Sequence, residues 1–338
     1  YALRAIGESG SSMSTSSVLP LLADGEFHSG QALAEILGVS RTAVWKQLKK
    51  VTEASGLEME SVRGRGYRIP GGLDLLQRST VEAELDAPAR SLIVELELLE
   101  RTDSTNAHAL RRAAQTSLTG LVCTAEQQTA GRGRQGRRWI SPYAKNLYVS
   151  VLWEFAQGAA SLEGLSLAVG VAVVEALRRC GVAEVQLKWP NDVVADGKKL
   201  GGVLLEIAGD AAGPCQVVIG IGINVAMPAT AGRAIDQQWT DVRSLAADSA
   251  PTRSVLLGSL LNEMMPMVAD FERQGFEVWR ERWQSLDACA DQKVTLTAGD
   301  RRVSGIARGV DGRGALQLET QSGVQSLYGG ELSLRLQS

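Results

Sequence analysis

The chain has 338 residues, is 44% hydrophobic and 22% charged, and carries a formal net charge of -3. That length predicts two or three domains with a substantial core, and the mild acidity excludes a globally basic nucleic-acid binder, so any DNA-binding surface has to be a local patch. The most apolar run, Leu165 to Val174, stops at Glu175 and is too short to span a bilayer, which excludes a membrane-spanning protein on this signal.

Residues 1–17 are Ser/Gly-rich, lack the charged-then-apolar order of a signal peptide, and are expected as a disordered leader. Residues 18–70 read as one small unit. An apolar stretch, Val18 to Leu22, is broken by Asp24-Gly25. Ser29 can cap a helix carrying Leu33, Ile36 and Leu37, and Gly38 offers the turn after it. Ser40 can cap a further helix, Arg41 to Val51, with Val44, Leu48 and Val51 on one face. Two helices around a glycine turn make a helix-turn-helix. The alternating run Leu57 to Val62, the tip Gly64-Arg65-Gly66 and the return Tyr67 to Ile69 add a hairpin wing. From 41 to 70 there are seven Lys/Arg against three acids, a local excess of cations inside an acidic chain. DNA contacts are expected from Ser40, Arg41, Thr42, Trp45, Lys46, Lys49, Arg63 and Arg65.

Residues 71–89 are read as a linker, and 90–287 as a central domain in which strands and helices mix. Strands are predicted at 93–99, 121–127, 146–153, 185–189, 193–194, 202–207 and 216–225. Ser104 should cap a helix through Ala114, and Ser161 one from Leu162 to Cys180. A helix from Ser254 to Arg273 should kink at Pro266. Short turns between neighbouring strands favour an α+β layer over a βαβ repeat. Residues 288–338 change texture to short alternating runs separated by Gly/Asp turns, a small SH3-like β-barrel. Cys123, Cys180, Cys215 and Cys289 lie far apart without a C-x-x-C pair, and only His28 and His108 accompany them. A structural zinc site is therefore not expected, and the thiols read as buried and reduced in a cytoplasmic protein.

Four segments carry chemistry. In Gly131-Arg132-Gly133-Arg134-Gln135-Gly136-Arg137-Arg138-Trp139, glycines let a ligand approach the backbone and arginines supply permanent forked donors, a pairing that suits a carboxylate meeting a phosphate. The run fits G-x-G-x-x-G, yet Pro142 and a strand follow rather than a helix, so a dinucleotide fold fails; no Walker A sequence occurs either. A solvated basic loop or a second DNA contact remains the plain alternative. In Lys188-Trp189-Pro190-Asn191-Asp192 a strand delivers one lysine just before a proline stops the ladder, where it can neutralise a carboxylate or phosphate; a surface lysine before a turn reads equally well. Asp103-Ser104-Thr105-Asn106 is an N-cap that could also bind a small polar ring. Gly220-Ile221-Gly222-Ile223-Asn224 is a glycine-spaced strand, suited to packing or to close approach.

These motifs in this order resemble the bifunctional biotin–protein ligases that double as biotin operon repressors, and the resemblance covers about residues 18 to 336. It implies an N-terminal winged helix-turn-helix, a central mixed α/β catalytic domain of the biotin/lipoate ligase type, and the small barrel. It implies ATP, with Mg2+, and biotin as substrates, and a biotin carboxyl carrier protein as acceptor. Operator DNA and a ligand-promoted homodimer follow from it too. By motif position, Ser104, Thr105, Asn106 and Gln128 would bind the biotin rings. Arg132, Gly133 and Arg134 would wrap its carboxylate and the phosphate, and Lys188 would polarise the reacting oxygens. Asn191, Asn224 and Trp239 would hold the nucleotide, the last on a mobile loop from Val225. Two rivals stand beside this reading: a non-catalytic biotin-sensing regulator, and a lipoate-type acyl-adenylating ligase.

Overall fold

The computed structural model describes residues 18–116, 118–209, 213–298, 301–329 and 333–336; the expected leader at 1–17 lies outside them. A 3-10 turn at Pro20–Leu22 precedes α1 (Gly30–Leu37) and α2 (Arg41–Ser55). Ser29 and Ser40 cap them as expected, each hydroxyl accepting a backbone N–H three residues on at 3.1 Å. Gly38, at φ 64°, makes the turn. The wing is the hairpin β1 (Glu60–Val62) and β2 (Gly66–Arg68). Val18, Leu19, Leu22, Leu33, Val44 and Leu48 form its core, joined by Tyr143 and Ala144 from the central domain.

Within the expected linker, α3 (Arg78–Glu84) and α4 (Ala87–Leu92) are helical and press Val81, Leu85 and Ala89 into the central core. The apolar spacing there is that of two short helices, which a reading for long periodic segments passes over.

The central sheet has seven strands: β3 (Glu95–Thr102), β4 (Leu121–Gln128), β5 (Leu147–Phe155), β6 (Gln186–Lys188), β7 (Asp192–Ala195), β8 (Lys198–Gly209) and β9 (Cys215–Ile223). Their order is β3-β4-β5-β9-β8-β7-β6, parallel only between β3 and β4. Helix α5 (Thr105–Ala113) follows β3, and α6 (Leu165–Arg179) lies between β5 and β6. After β9 come α7 (Ala229–Gly232), α8 (Val242–Ala246), α9 (Arg253–Gln274) and α10 (Glu277–Ser285).

Side chains alternate across the sheet with the strand period of two. Leu147, Val149 and Val151 of β5 and Val217, Ile219 and Ile221 of β9 face the large core under α6 and α9. Leu152, Val218, Leu121 and Cys123 face the opposite side, against Ala109 of α5.

One expectation changes. The helix expected to start behind Ser161 starts at Leu165, behind Gly164 at φ 76°. A Cβ at Gly164 would stand 2.5 Å from the Phe276 side chain, so the chain turns where only glycine fits and Ser161 is left in a 3-10 turn. Helix α9 continues through Pro266, packed against α6, and its cap is Thr252. Three of the cysteines are buried, as expected, while Cys180 is only partly so.

The C-terminal module is an antiparallel sheet of β10 (Lys293–Ala298), β11 (Arg301–Val310), β12 (Leu316–Thr320), β13 (Gly323–Leu327) and β14 (Ser333–Leu336), in the order β13-β12-β11-β10-β14. Val294, Leu296, Ala307, Leu316 and Leu334 join the same apolar cluster as α6 and α9, so its core is continuous with the central one.

Candidate active site

The face of the sheet that carries α5 is open beyond that helix, because β9 places Val218, Gly220 and Gly222 there in succession. A Cβ at Gly220 would stand 2.1 Å from Asn106 Oδ1, and one at Gly222 would stand 2.6 Å from the Trp139 ring. The glycine spacing is therefore close approach: it seats an amide and an indole on bare backbone. The result is a cavity of about 770 Å³, within the range of small-molecule sites.

All eleven residues expected to bind biotin or nucleotide line this cavity: Ser104, Thr105, Asn106, Gln128, Arg132, Gly133, Arg134, Lys188, Asn191, Asn224 and Trp239. At one end, Ser104 caps α5. Thr105 donates its backbone N–H (2.9 Å) to Gln128 Oε1, while the Gln128 amide nitrogen donates to Ser141 Oγ at 3.0 Å. Asn106, 4% exposed, donates to Glu206 at 2.7 Å and lies within hydrogen-bond distance (2.6 Å) of the Ser150 hydroxyl. These bonds hold three small polar side chains in fixed orientations.

The Gly/Arg loop runs along one wall. It closes on itself through a 2.7 Å bond from Gly133 N to Arg137 O and a 2.9 Å bond from Trp139 N to Gly131 O. Arg132 pairs with Glu206 at 3.2 Å. Arg134 donates to Asn191 Oδ1 at 3.1 Å and to the carbonyl of Gly329, which brings the C-terminal module to the cavity. Burial pulls the Arg134 guanidinium below the usual arginine range, partly offset by Asp192. A partly dehydrated arginine exerts a stronger field than a solvated one and keeps its charge. Lys188 ends β6 just before the cis Trp189–Pro190 bond and forms no ion pair among the described residues.

At the other end, Asn224 donates to Thr240 O at 3.1 Å, and Trp239 donates to Gly232 O at 3.2 Å. The segment from Val225 to Trp239, expected as a mobile loop, contains α7, and the Trp239 indole packs on Gly232. Among the described residues, the side-chain Oδ1 of Asn224 and the indole N–H of Trp139 are buried without a partner. Both residues line the cavity. A buried group left unbonded costs about 1–3 kcal/mol, so each is a point where a ligand offering the complementary group gains by binding.

Two lining residues, Lys199 and Arg335, and one carboxylate behind the wall, Glu206, escape sequence reasoning. Lys199 adds another cation, paired with Asp192 at 2.6 Å and 5.6 Å from the Trp139 ring. Glu206 holds both Asn106 and Arg132, though it is 100 positions from the first and 74 from the second. Arg335 reaches the cavity from β14. A lysine in a polar hairpin, one carboxylate in a strand and a near-terminal arginine have no local signature, so none could be singled out.

None of the residues expected at DNA is among those lining this cavity. Helix α2 buries Val44 and Leu48 and exposes Arg41, Thr42, Trp45, Lys46 and Lys49. Arg63 and Arg65 stand exposed on the wing, and the Ser40 hydroxyl is engaged in capping.

Residues 98–224 match the biotin/lipoate A/B protein ligase family, 16–68 match a helix-turn-helix domain, and 291–335 match the biotin protein ligase C-terminal domain. The chain is 39% identical over 318 residues to the bifunctional ligase/repressor BirA of Salmonella typhimurium, covering 94% of this chain and 96% of that one. It is 30% identical over 323 residues to that of Bacillus subtilis, covering 92% and 95%. The biotin protein ligase of Aquifex aeolicus, solved with biotin and ATP, superposes with a TM-score of 0.60 at 29% identity, over 72% of this chain and 99% of that one. With the cavity, the helix-turn-helix and the C-terminal sheet in one polypeptide, the chain belongs to the biotin protein ligase family, in the architecture of its bifunctional ligase/repressors.

Proposed function

We propose that the cavity joins biotin to AMP and hands the biotinoyl group to a lysine of a biotin carboxyl carrier protein, while the winged helix binds operator DNA and represses biotin genes. The observation that carries this reading is the convergence of Arg132, Arg134 and Lys188 with a small polar subsite and two unbonded buried polar groups in one cavity.

A carboxylate and a triphosphate repel, and cations at their meeting point lower the barrier as charge builds on the phosphorus oxygens. In the first step a biotin carboxylate oxygen bonds to the α-phosphorus of ATP, the α–β bridging bond breaks, and pyrophosphate leaves. Ser104, Thr105, Asn106 and Gln128 hold the biotin rings. Arg132 and Arg134, with the Gly133 backbone between them, hold the carboxylate and α-phosphate. Lys188 stabilises the charge at the reacting centre. Asn191 and Asn224 face the nucleotide, with Trp239 as its stacking surface. In the second step the neutral amine of the acceptor lysine attacks the acyl carbon, the bond to AMP breaks, and the amide nitrogen loses its proton. The mixed anhydride hydrolyses if wetted, so the Gly/Arg loop also serves to exclude water. Mg2+ is assigned to ATP as part of that substrate, where it neutralises the pyrophosphate. DNA recognition by helix-turn-helix proteins commonly uses paired half-sites, which supports a ligand-promoted homodimer. ATP, carrier protein and DNA meet in the cytoplasm, and among the described residues no helix is long and apolar enough to cross a membrane.

Incubation with ATP, biotin and a carrier domain, followed by mass spectrometry, should find one biotinyl group on the carrier. Absence of both that adduct and biotin-dependent pyrophosphate exchange overturns the ligase reading in favour of a sensor; transfer of lipoate instead overturns the substrate.

A further inference from the structure

The wing holds a feature that cavity chemistry does not use. Phe27, in the extended segment before α1, stands under two guanidinium groups, with Arg65 4.1 Å and Arg68 4.6 Å from its ring centroid. Its position is set by the backbone. His28 exchanges both backbone hydrogen bonds with Tyr67 at 2.9 Å, so an isolated antiparallel bridge pins the segment beside the hairpin. Gly66 has φ 108°, and a Cβ there would stand 2.0 Å from His28 O, so this contact admits no side chain.

The two arginines are in different electrostatic states. Arg68 donates to Glu60 at 2.8 Å and is neutralised by it. Arg65 is exposed and, among the described residues, has no ion-pair partner. Two cations on one ring repel unless one is compensated, and Glu60 compensates the inner one. What remains is a single unpaired guanidinium at a glycine-flanked tip, restrained by an aromatic face that takes none of its charge. Restraint of a long side chain before binding removes part of the ordering cost that binding otherwise bears. Helix α2 of the same unit also carries exposed cations, Arg41, Lys46, Lys49 and Lys50.

We propose that Phe27 is a positioning residue for DNA binding: its ring holds Arg65 ready for the phosphate backbone of a duplex, while Arg68, on the same ring, is spent on Glu60. This deepens the DNA-binding reading above and rests on it.

The test uses the full chain with biotin and ATP, and a short mixed-sequence DNA duplex as probe, with affinity measured by fluorescence anisotropy across a salt series. Phe27→Leu should weaken binding about five-fold, the scale of a partly desolvated cation–π contact. Arg65→Ala should weaken it further and flatten the slope of log K against log salt by about 0.9, one phosphate contact. Phe27→Leu should flatten the slope in the same direction by less, and Phe27→Tyr should restore affinity and slope. Arg68→Ala should leave the slope unchanged, and adenylation should be unaltered in all four. Normal binding by Phe27→Leu, or failure of Phe27→Tyr to restore it, while Arg65→Ala is impaired, overturns the role of Phe27 and leaves the DNA reading standing. An Arg65→Ala variant indistinguishable from wild type in affinity and slope overturns Arg65 as a DNA contact and this proposal with it.

Discussion

At the scale of single residues, what matters is which charges are compensated. Lys188 forms no ion pair among the described residues, whereas Lys199, lining the same cavity, is tied to Asp192 at 2.6 Å. Lys188 is thus a cation free to answer new negative charge. Lys188→Ala should lower the rate of biotin-dependent pyrophosphate release about 100-fold or more, the scale of one lost oxyanion-type donor, with the thermal midpoint unchanged. A near-normal rate would remove Lys188 from the chemistry. Asp287 shows the opposite situation. It is 7% exposed, one oxygen accepts the Cys289 N–H at 2.9 Å, and the other has no partner among the described residues. Burial raises its pKa from 3.8 to about 6. The folded state therefore holds a proton that the unfolded chain releases between those two values. Its contribution to stability is full below pH 3.8 and falls as pH rises to about 6, by about 3 kcal/mol in all, then stays flat. Urea unfolding of wild type and Asp287→Asn across that window should show the wild type losing stability relative to the variant. Parallel curves would refute the protonated form.

At the scale of elements, β9 is the instructive case. Its sequence alternates glycine with isoleucine, and the structure divides them by face, with Ile219, Ile221 and Ile223 in the core and Gly220 and Gly222 under the cavity. Gly220→Ala sets a methyl group against the buried Asn106 amide. The strand should still form, while the biotin KM rises at least about ten-fold through a displaced Asn106, the cost of losing one well-placed polar contact. Steady-state kinetics on the soluble variant checks this, and an unchanged KM would show that Asn106 adapts. Strands and capped helices were legible because their signals are local: Ser29, Ser40 and Ser104 each bond a backbone N–H three residues on. The start of α6 was not, because Gly164 answers to Phe276, more than a hundred positions away. Lys199 and Glu206 were missed for the same reason.

At the scale of the molecule, a buried arginine ties the segment that follows the winged helix to the ligase, beside the Tyr143 and Ala144 side chains packed in the winged-helix core. Arg253, 1% exposed, pairs with Glu126 of β4 and bonds Asp74 O (2.8 Å) and Asn146 O (3.1 Å). Glu126 in turn accepts the Leu76 N–H at 2.7 Å. The connection from the wing, the sheet and α9 therefore meet at one ion pair. Arg253→Ala leaves Glu126 charged and buried without its partner and should cost about 3–5 kcal/mol in urea unfolding. Replacing Glu126 by Ala in the same chain should recover part of that loss; a single variant of wild-type stability would show that the junction is not held this way.

By itself the sequence determined the winged-helix elements, the main strands, the caps at Ser29, Ser40 and Ser104, and the chemical character of the Gly/Arg loop and of the strand ending at Lys188, because each depends on residues within a turn or two. Only the tertiary structure decided that Arg132, Arg134 and Lys188 face one cavity, that Glu206 holds two of its candidate ligand residues, and that two short helices from Arg78 to Leu92 pack on the core. The physical reason is that a pocket and a buried charge are compensated by groups far apart along the chain, and only packing chooses which ones meet.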